Sequence, residues 1–174
     1  YPFAKLENLI STKRQQGVDL VNFGIGDPDL KPPEFINHAL IDALSIPDSH
    51  NYSSSSGEKT FRDSIAVWFE KRFNVILNPD EEICALIGSK EGLAHIFRAF
   101  LNSGDKIAIP NPGYPLYANG GALLNEFHPV ILDLDCDSNF VPQINQLQDT
   151  DFSGIYLNYP NNPTGAVVEF SDLK

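Results

Sequence analysis

Apolar residues recur along the chain with two rhythms, one near the helical repeat and one almost continuous. In "YPFAKLENLISTKRQQG", Phe3, Leu6, Leu9 and Ile10 fall on one helical face, and Gly17 closes the segment. "VDLVNFGIGDPDL" reads as a short strand that breaks into a Gly, Asp and Pro loop. "PPEFINHALIDAL" is a helix whose prolines sit at its start, where a missing N–H costs little. The polar stretch "NYSSSSGEKT" leads into "FRDSIAVWFEKRF", where Phe61, Ile65, Trp68, Phe69 and Arg72 keep helical spacing. From there the chain alternates. "EICALIG" predicts a buried strand, "SKEGLAHIFRAFL" a helix, "DKIAIP" a strand and "GYPLYANGGALL" a short helix, and "NEFHPVILDL" and "FSGIYLNYP" add two more strands. Alternation with nearly continuous apolar strands implies an α/β fold whose mostly parallel sheet is covered on both faces. No segment repeats.

Composition narrows the class. The 174 residues are 42% hydrophobic and 20% charged, as in soluble globular proteins. No apolar run approaches bilayer length, and no leader pattern opens the sequence. The net charge of -11 disfavours nucleic acid and anionic membrane, which both require a basic footprint. Cys84 and Cys136 read as free thiols of a reducing cytoplasm. His38, His50, His95 and His128 are scattered, so no metal site is expected. The chain opens at Tyr1, contains no methionine and stops at "EFSDLK" as a helix begins, so a fragment is expected.

In open α/β sheets, ligands bind at the carboxyl ends of the strands, and three unusual loops fall at such ends. In "LIGSKEG" a strand turns straight into a helix. The first turn of a helix offers unsatisfied N–H groups and partial positive charge, which suits a phosphate. Ser89 adds a hydroxyl and Lys90 a full charge. Gly92 in that turn costs up to about 1 kcal/mol against alanine, which suggests a close approach. A plain capped helix accounts for the same residues, and the spacing is not that of a P-loop. In "IPNPGYPLY", prolines and a glycine stiffen the chain and present Tyr114 and Tyr117. Either tyrosine can stack on a planar ring or simply fill the core. In "NYPNNPTG", Pro160 and Pro163 stiffen the loop, Gly165 permits positive φ, and Asn162 is left as a neutral donor and acceptor. A tight turn also explains Asn–Pro. A weaker fourth stretch, "GIGDPDL", lacks the dinucleotide spacing; Asp27 and Asp29 read as turn formers, and Gly26 offers a bare N–H to a carboxylate. Phosphate cradle, aromatic plate and asparagine, in that order, describe a site for a phosphorylated planar heteroaromatic.

These residues resemble the class I/II aminotransferases, the fold-type I enzymes that use pyridoxal 5'-phosphate, along essentially the whole chain. Within that family the motifs are most like the branch of LL-diaminopimelate and alanine-forming aminotransferases. The resemblance implies a three-layer sandwich, with residues 1–56 an N-terminal segment bordering the small domain. Residues 57–174 would be the front part of a truncated large cofactor-binding domain. It implies that Ser89 and Lys90 hold the phosphate, that Tyr114 covers the pyridine ring, and that Asn162 bonds the ring oxygen. Tyr52 of "NYSSSSG" would reach a neighbour's phosphate across a homodimer. Gly26 and Tyr1 would meet substrate. The implied reaction is transamination between an amino acid and a 2-oxo acid in the cytoplasm. No serine–lysine segment of the family's kind occurs in these residues, so the Schiff-base lysine is absent and the chain alone is expected to be inactive. A fold-type I lyase or synthase, an inactive regulatory relative and a nucleotide-binding α/β domain are the alternatives.

Overall fold

The structure is a computed structural model and describes residues 2–24, 26, 28–143, 148 and 151–173. Its chain divides into two units, Tyr1–Tyr52 and Ser53–Lys174.

The first unit carries helices α1 (Pro2–Gln15) and α2 (Glu34–Ala43). Lys13 and Arg14 occupy the last turn of α1, where positive charge complements the helix dipole. Gly17, at φ 78°, then reverses the chain, and its N–H donates to the carbonyl of Arg14. Pro33 precedes α2 and Glu34 opens it, the expected chemistry for a helix start. Residues 18–24 form no strand, although their sequence predicts one.

The second unit begins with α3 (Lys59–Phe73). Asn74 ends it in the left-handed region at φ 55°, donating its N–H to Glu70. Then come α4 (Ser89–His95), a turn of 3-10 helix at Phe97–Ala99, β1 (Lys106–Asn111), a π-helix at Tyr117–Ala122, β2 (His128–Asp133) and β3 (Gly154–Ile155). The sheet runs β2-β1-β3 with both pairings parallel. Ile107 faces Pro129 on one side and Gly154 on the other. β1 is therefore central, and Ile107, Ala108, Ile109 and Pro110 are all buried, as a strand covered on both faces requires.

The core gathers on this strand. Ile107, Ile109, Tyr117, Ala122, Phe127 and Tyr156 form it, with Leu93 of α4 and Phe97 packed against them. Tyr117 and Tyr156 stack at 4.5 Å, and the Tyr156 hydroxyl donates to the Leu93 carbonyl. One expectation is corrected here. "EICALIG" is neither strand nor buried: residues 83–86 have no pairing partner, Leu86 and Ile87 are exposed, and the Ala85 N–H donates to Ser56 instead. An apolar run reports a demand for covering, and a strand exists only where a neighbour supplies the ladder.

Candidate functional site

Because β1, β2 and β3 are parallel, their carboxyl ends lie along one edge of the sheet. The loops after β1 and β3 are the two proline-rich stretches that the sequence singles out. Three of the five prolines in these stretches follow cis peptide bonds: Asn111–Pro112, Tyr159–Pro160 and Asn162–Pro163.

The helix tip comes first. Gly88 adopts φ 77°, which turns the chain into α4 and leaves Ser89 and Lys90 exposed as its first two residues. Glu91 accepts the Ile87 N–H at 2.7 Å, bracing the turn from inside the helix. At Gly92 a Cβ would press on Leu86 Cδ1 at 2.6 Å, so a side chain of the protein itself makes a close approach.

The aromatic plate lies beside that tip. Lys90 Nζ sits 5.6 Å from the centroid of the half-buried Tyr114 ring. Gly113 makes the preceding turn feasible, because a Cβ there would run into the Pro110 carbonyl oxygen. Tyr117, the second aromatic of the motif, is 5% exposed and stacked in the core, so it is packing and not a plate. Burial, with a smaller contribution from Tyr114, raises its phenol above the ordinary 10.0.

The asparagine loop completes the edge. Asn162 is exposed, and its N–H donates to Asn158 Oδ1 at 3.1 Å. Its neighbour Asn161, which sequence reasoning passed over, is buried and donates from Nδ2 to the carbonyl of Pro112 in the Tyr114 loop. The signal was present as a doubled asparagine in a turn, but its second partner lies far along the chain.

Of the predicted site residues, Ser89, Lys90, Tyr114 and Asn162 thus belong to one unit and to loops that share contacts. Tyr52, fully exposed, and Gly26, also exposed, belong to the first unit. Tyr1 lies outside the described residues. Among the described residues no three His, Cys, Asp or Glu side chains gather as a metal site. Cys84 and Cys136 are exposed free thiols. The donor set of hydroxyl, ammonium, aromatic face and carboxamide fits a group that joins a phosphate to a flat polar ring.

The model of the family "Aminotransferase class I and II" matches residues 18–174. The chain belongs to the class I and II aminotransferases. Among its relatives, an LL-diaminopimelate aminotransferase of Desulforudis audaxviator is 43% identical over 172 residues, which cover 97% of this chain and 43% of that protein. A probable N-succinyldiaminopimelate aminotransferase of Thermus thermophilus superposes with a TM-score of 0.86 at 33% identity, covering 97% of this chain and 46% of the other. A double mutant of Thermus thermophilus aspartate aminotransferase gives 0.88 at 26% identity, covering 98% and 44%. This aminotransferase chain therefore spans somewhat less than half the length of the relatives it matches, and its α/β architecture is that of their fold-type I class.

Proposed function

We propose that the full-length protein containing this chain is a cytoplasmic, homodimeric, pyridoxal-phosphate-dependent aminotransferase of amino-acid biosynthesis. It moves an amino group between an amino acid and a 2-oxo acid. Relatives named as LL-diaminopimelate aminotransferases support a diamino dicarboxylic acid as one substrate. The approach of Lys90 to the Tyr114 ring carries this reading, because it brings a phosphate-suited helix tip and an aromatic plate to one place.

When bound, pyridoxal phosphate supplies an electron sink that acidifies the α C–H of an amino acid. The chain's own residues hold it. Ser89, through its hydroxyl and backbone N–H, donates to the phosphate, and Lys90 adds charge. The Tyr114 ring limits tilt of the pyridine. Asn162 donates its amide N–H to the ring oxygen. Tyr52 of one subunit reaches the phosphate of the other, and the Gly26 N–H and Tyr1 meet the substrate. The family's cofactor-bearing lysine would lie outside these residues, and residues 1–174 alone would be inactive.

Asn162→Ala in the full-length protein tests the assignment. Loss of one hydrogen bond to the ring oxygen is expected to weaken pyridoxal phosphate about tenfold and to shift the bound cofactor's absorbance band. Unchanged affinity and spectrum would show the assignment to be wrong.

A further inference from the structure

We infer that Asn161 is a positioning residue, a buried strut that sets the spacing between Tyr114 and Asn162. The inference rests on the reading of those two residues as cofactor contacts.

Asn161 is 3% exposed, and its flat carboxamide works in two directions. Toward its own turn, Oδ1 accepts from the Thr164 hydroxyl at 3.0 Å and from the Thr164 N–H at 3.4 Å. Away from it, Nδ2 donates to the Pro112 carbonyl at 3.4 Å. The main chain is held as well. The Asn161 N–H donates to Ala166 at 2.8 Å, and its carbonyl accepts the Gly165 N–H at 2.7 Å. Neither the turn nor the side chain can drift without losing one of these bonds.

Both ends of the strut lead directly to proposed cofactor contacts. Asn162 follows Asn161, with its N–H fixed on Asn158. On the other side, Pro112 precedes Tyr114 by two residues, across a Gly113 turn too tight for a Cβ. Nδ2 of Asn161 therefore joins the loop that carries the ring to the loop that carries the amide.

The residue type matters. Closing the turn needs only an acceptor, which aspartate or serine supplies equally well. Reaching Pro112 needs a donor as well; aspartate has none when ionised, and a serine hydroxyl is too short to span both partners, whereas the amide sets its donor and acceptor on separate atoms. A turn-forming role and a strut role therefore predict different outcomes for the same substitution.

The experiment is a pyridoxal phosphate titration, followed by absorbance, of the full-length protein and its N161D, N162A, N161D/N162A and Thr164→Val variants. Asp keeps the turn acceptor but sets two acceptors facing each other at Pro112, so N161D is expected to weaken the cofactor about tenfold. In the N162A background the same change is expected to cost less than about threefold, because the contact being positioned is already gone. Thr164→Val, which loosens the turn but leaves the strut, is expected to lower the melting temperature while affinity stays near wild type. If N161D does not fold, Asn161→Ser replaces it, keeping an acceptor over the turn without the reach to Pro112. The inference is overturned by an N161D loss that is undiminished in the N162A background, by unchanged affinity in N161D, or by equal weakening in Thr164→Val. An N162A protein with wild-type affinity would instead refute the cofactor reading of Asn162 itself, and the strut's purpose with it.

Discussion

One methyl group separates glycine from alanine, and at Gly113 there is no room for it over the Pro110 carbonyl oxygen. Gly113→Ala is expected to destabilise the full-length protein by about 1–3 kcal/mol, because the obstacle is backbone and not a flexible side-chain end. Thermal unfolding measures this, and an unchanged midpoint would mean that the turn relaxes freely. The buried tyrosines make a second prediction. Burial holds Tyr117 and Tyr156 above the ordinary 10.0, and each gains a smaller push from a neighbouring phenol, Tyr114 and Tyr117 respectively. The fold disfavours the phenolate, while the unfolded chain ionises freely. That contribution to stability is full below pH 10.0 and is lost as pH rises through the raised folded values. Urea midpoints across this range are expected to fall, and to fall less steeply in Tyr156→Phe; an equally steep fall would remove burial of Tyr156 as a cause. At this scale the sequence was legible where chemistry was local. Asn162, Tyr114 and Ser89 stood out because prolines and glycines framed them. Asn161 did not, since its decisive partner is 49 residues away. At Gly92 the sequence reveals a need for space without naming the neighbour, and Leu86 is one that the structure supplies.

Among the elements, α3 is pinned by a charge on its inner face. Arg62 is 8% exposed. Its guanidinium donates through Nε to Gly57 and through Nη1 to Pro79 and to Asp80, the last an ion pair at 2.9 Å. Arg62→Ala strands two carbonyls and one carboxylate and is expected to cost about 2–3 kcal/mol, read from the denaturation midpoint. The cost stays below that of a wholly buried pair because Asp80 remains largely in solvent. Lys59 and Asp63 form an exposed pair that brackets Arg62 on the same helix, and Lys59→Ala is expected to leave the midpoint where it was. If the two substitutions behave alike, the buried guanidinium is not what holds α3. Among the described residues, α1 to α4 announced themselves through apolar spacing and terminal chemistry, although the helix expected from Ser89 onward gives way after His95 to a turn of 3-10 helix. β1 and β2 did so through apolar runs flanked by turns. The failures were strands of a particular kind. Residues 83–86 have the composition of a strand but no ladder, and β3 is only two residues long, the Tyr156 N–H to Ala108 carbonyl being the bond that follows it along β1. Pairing is a property of two segments, and neither contains it alone.

For the whole molecule, the exposed Tyr52 gives the proposed dimer a direct test. If Tyr52 serves the neighbouring subunit's phosphate, Tyr52→Phe and Asn162→Ala fall on the same site of a hybrid dimer and leave its other site intact. Mixed in equal amounts and allowed to exchange, they are expected to restore roughly a quarter of all sites, since half the dimers are hybrids with one intact site each. If cofactor binding in the mixture equals the mean of the two parents, Tyr52 does not act across subunits. The order β2-β1-β3 bears on how such a protein is made. On a ribosome, the helix tip near Ser89 and the Tyr114 turn emerge well before the Asn162 turn, and β3 must then settle on the far side of β1 from β2. Under the proposed reading a nascent chain would have no complete cradle until the asparagine turn had left the exit tunnel, and a cofactor arriving after that point would stabilise the assembled sheet by mass action.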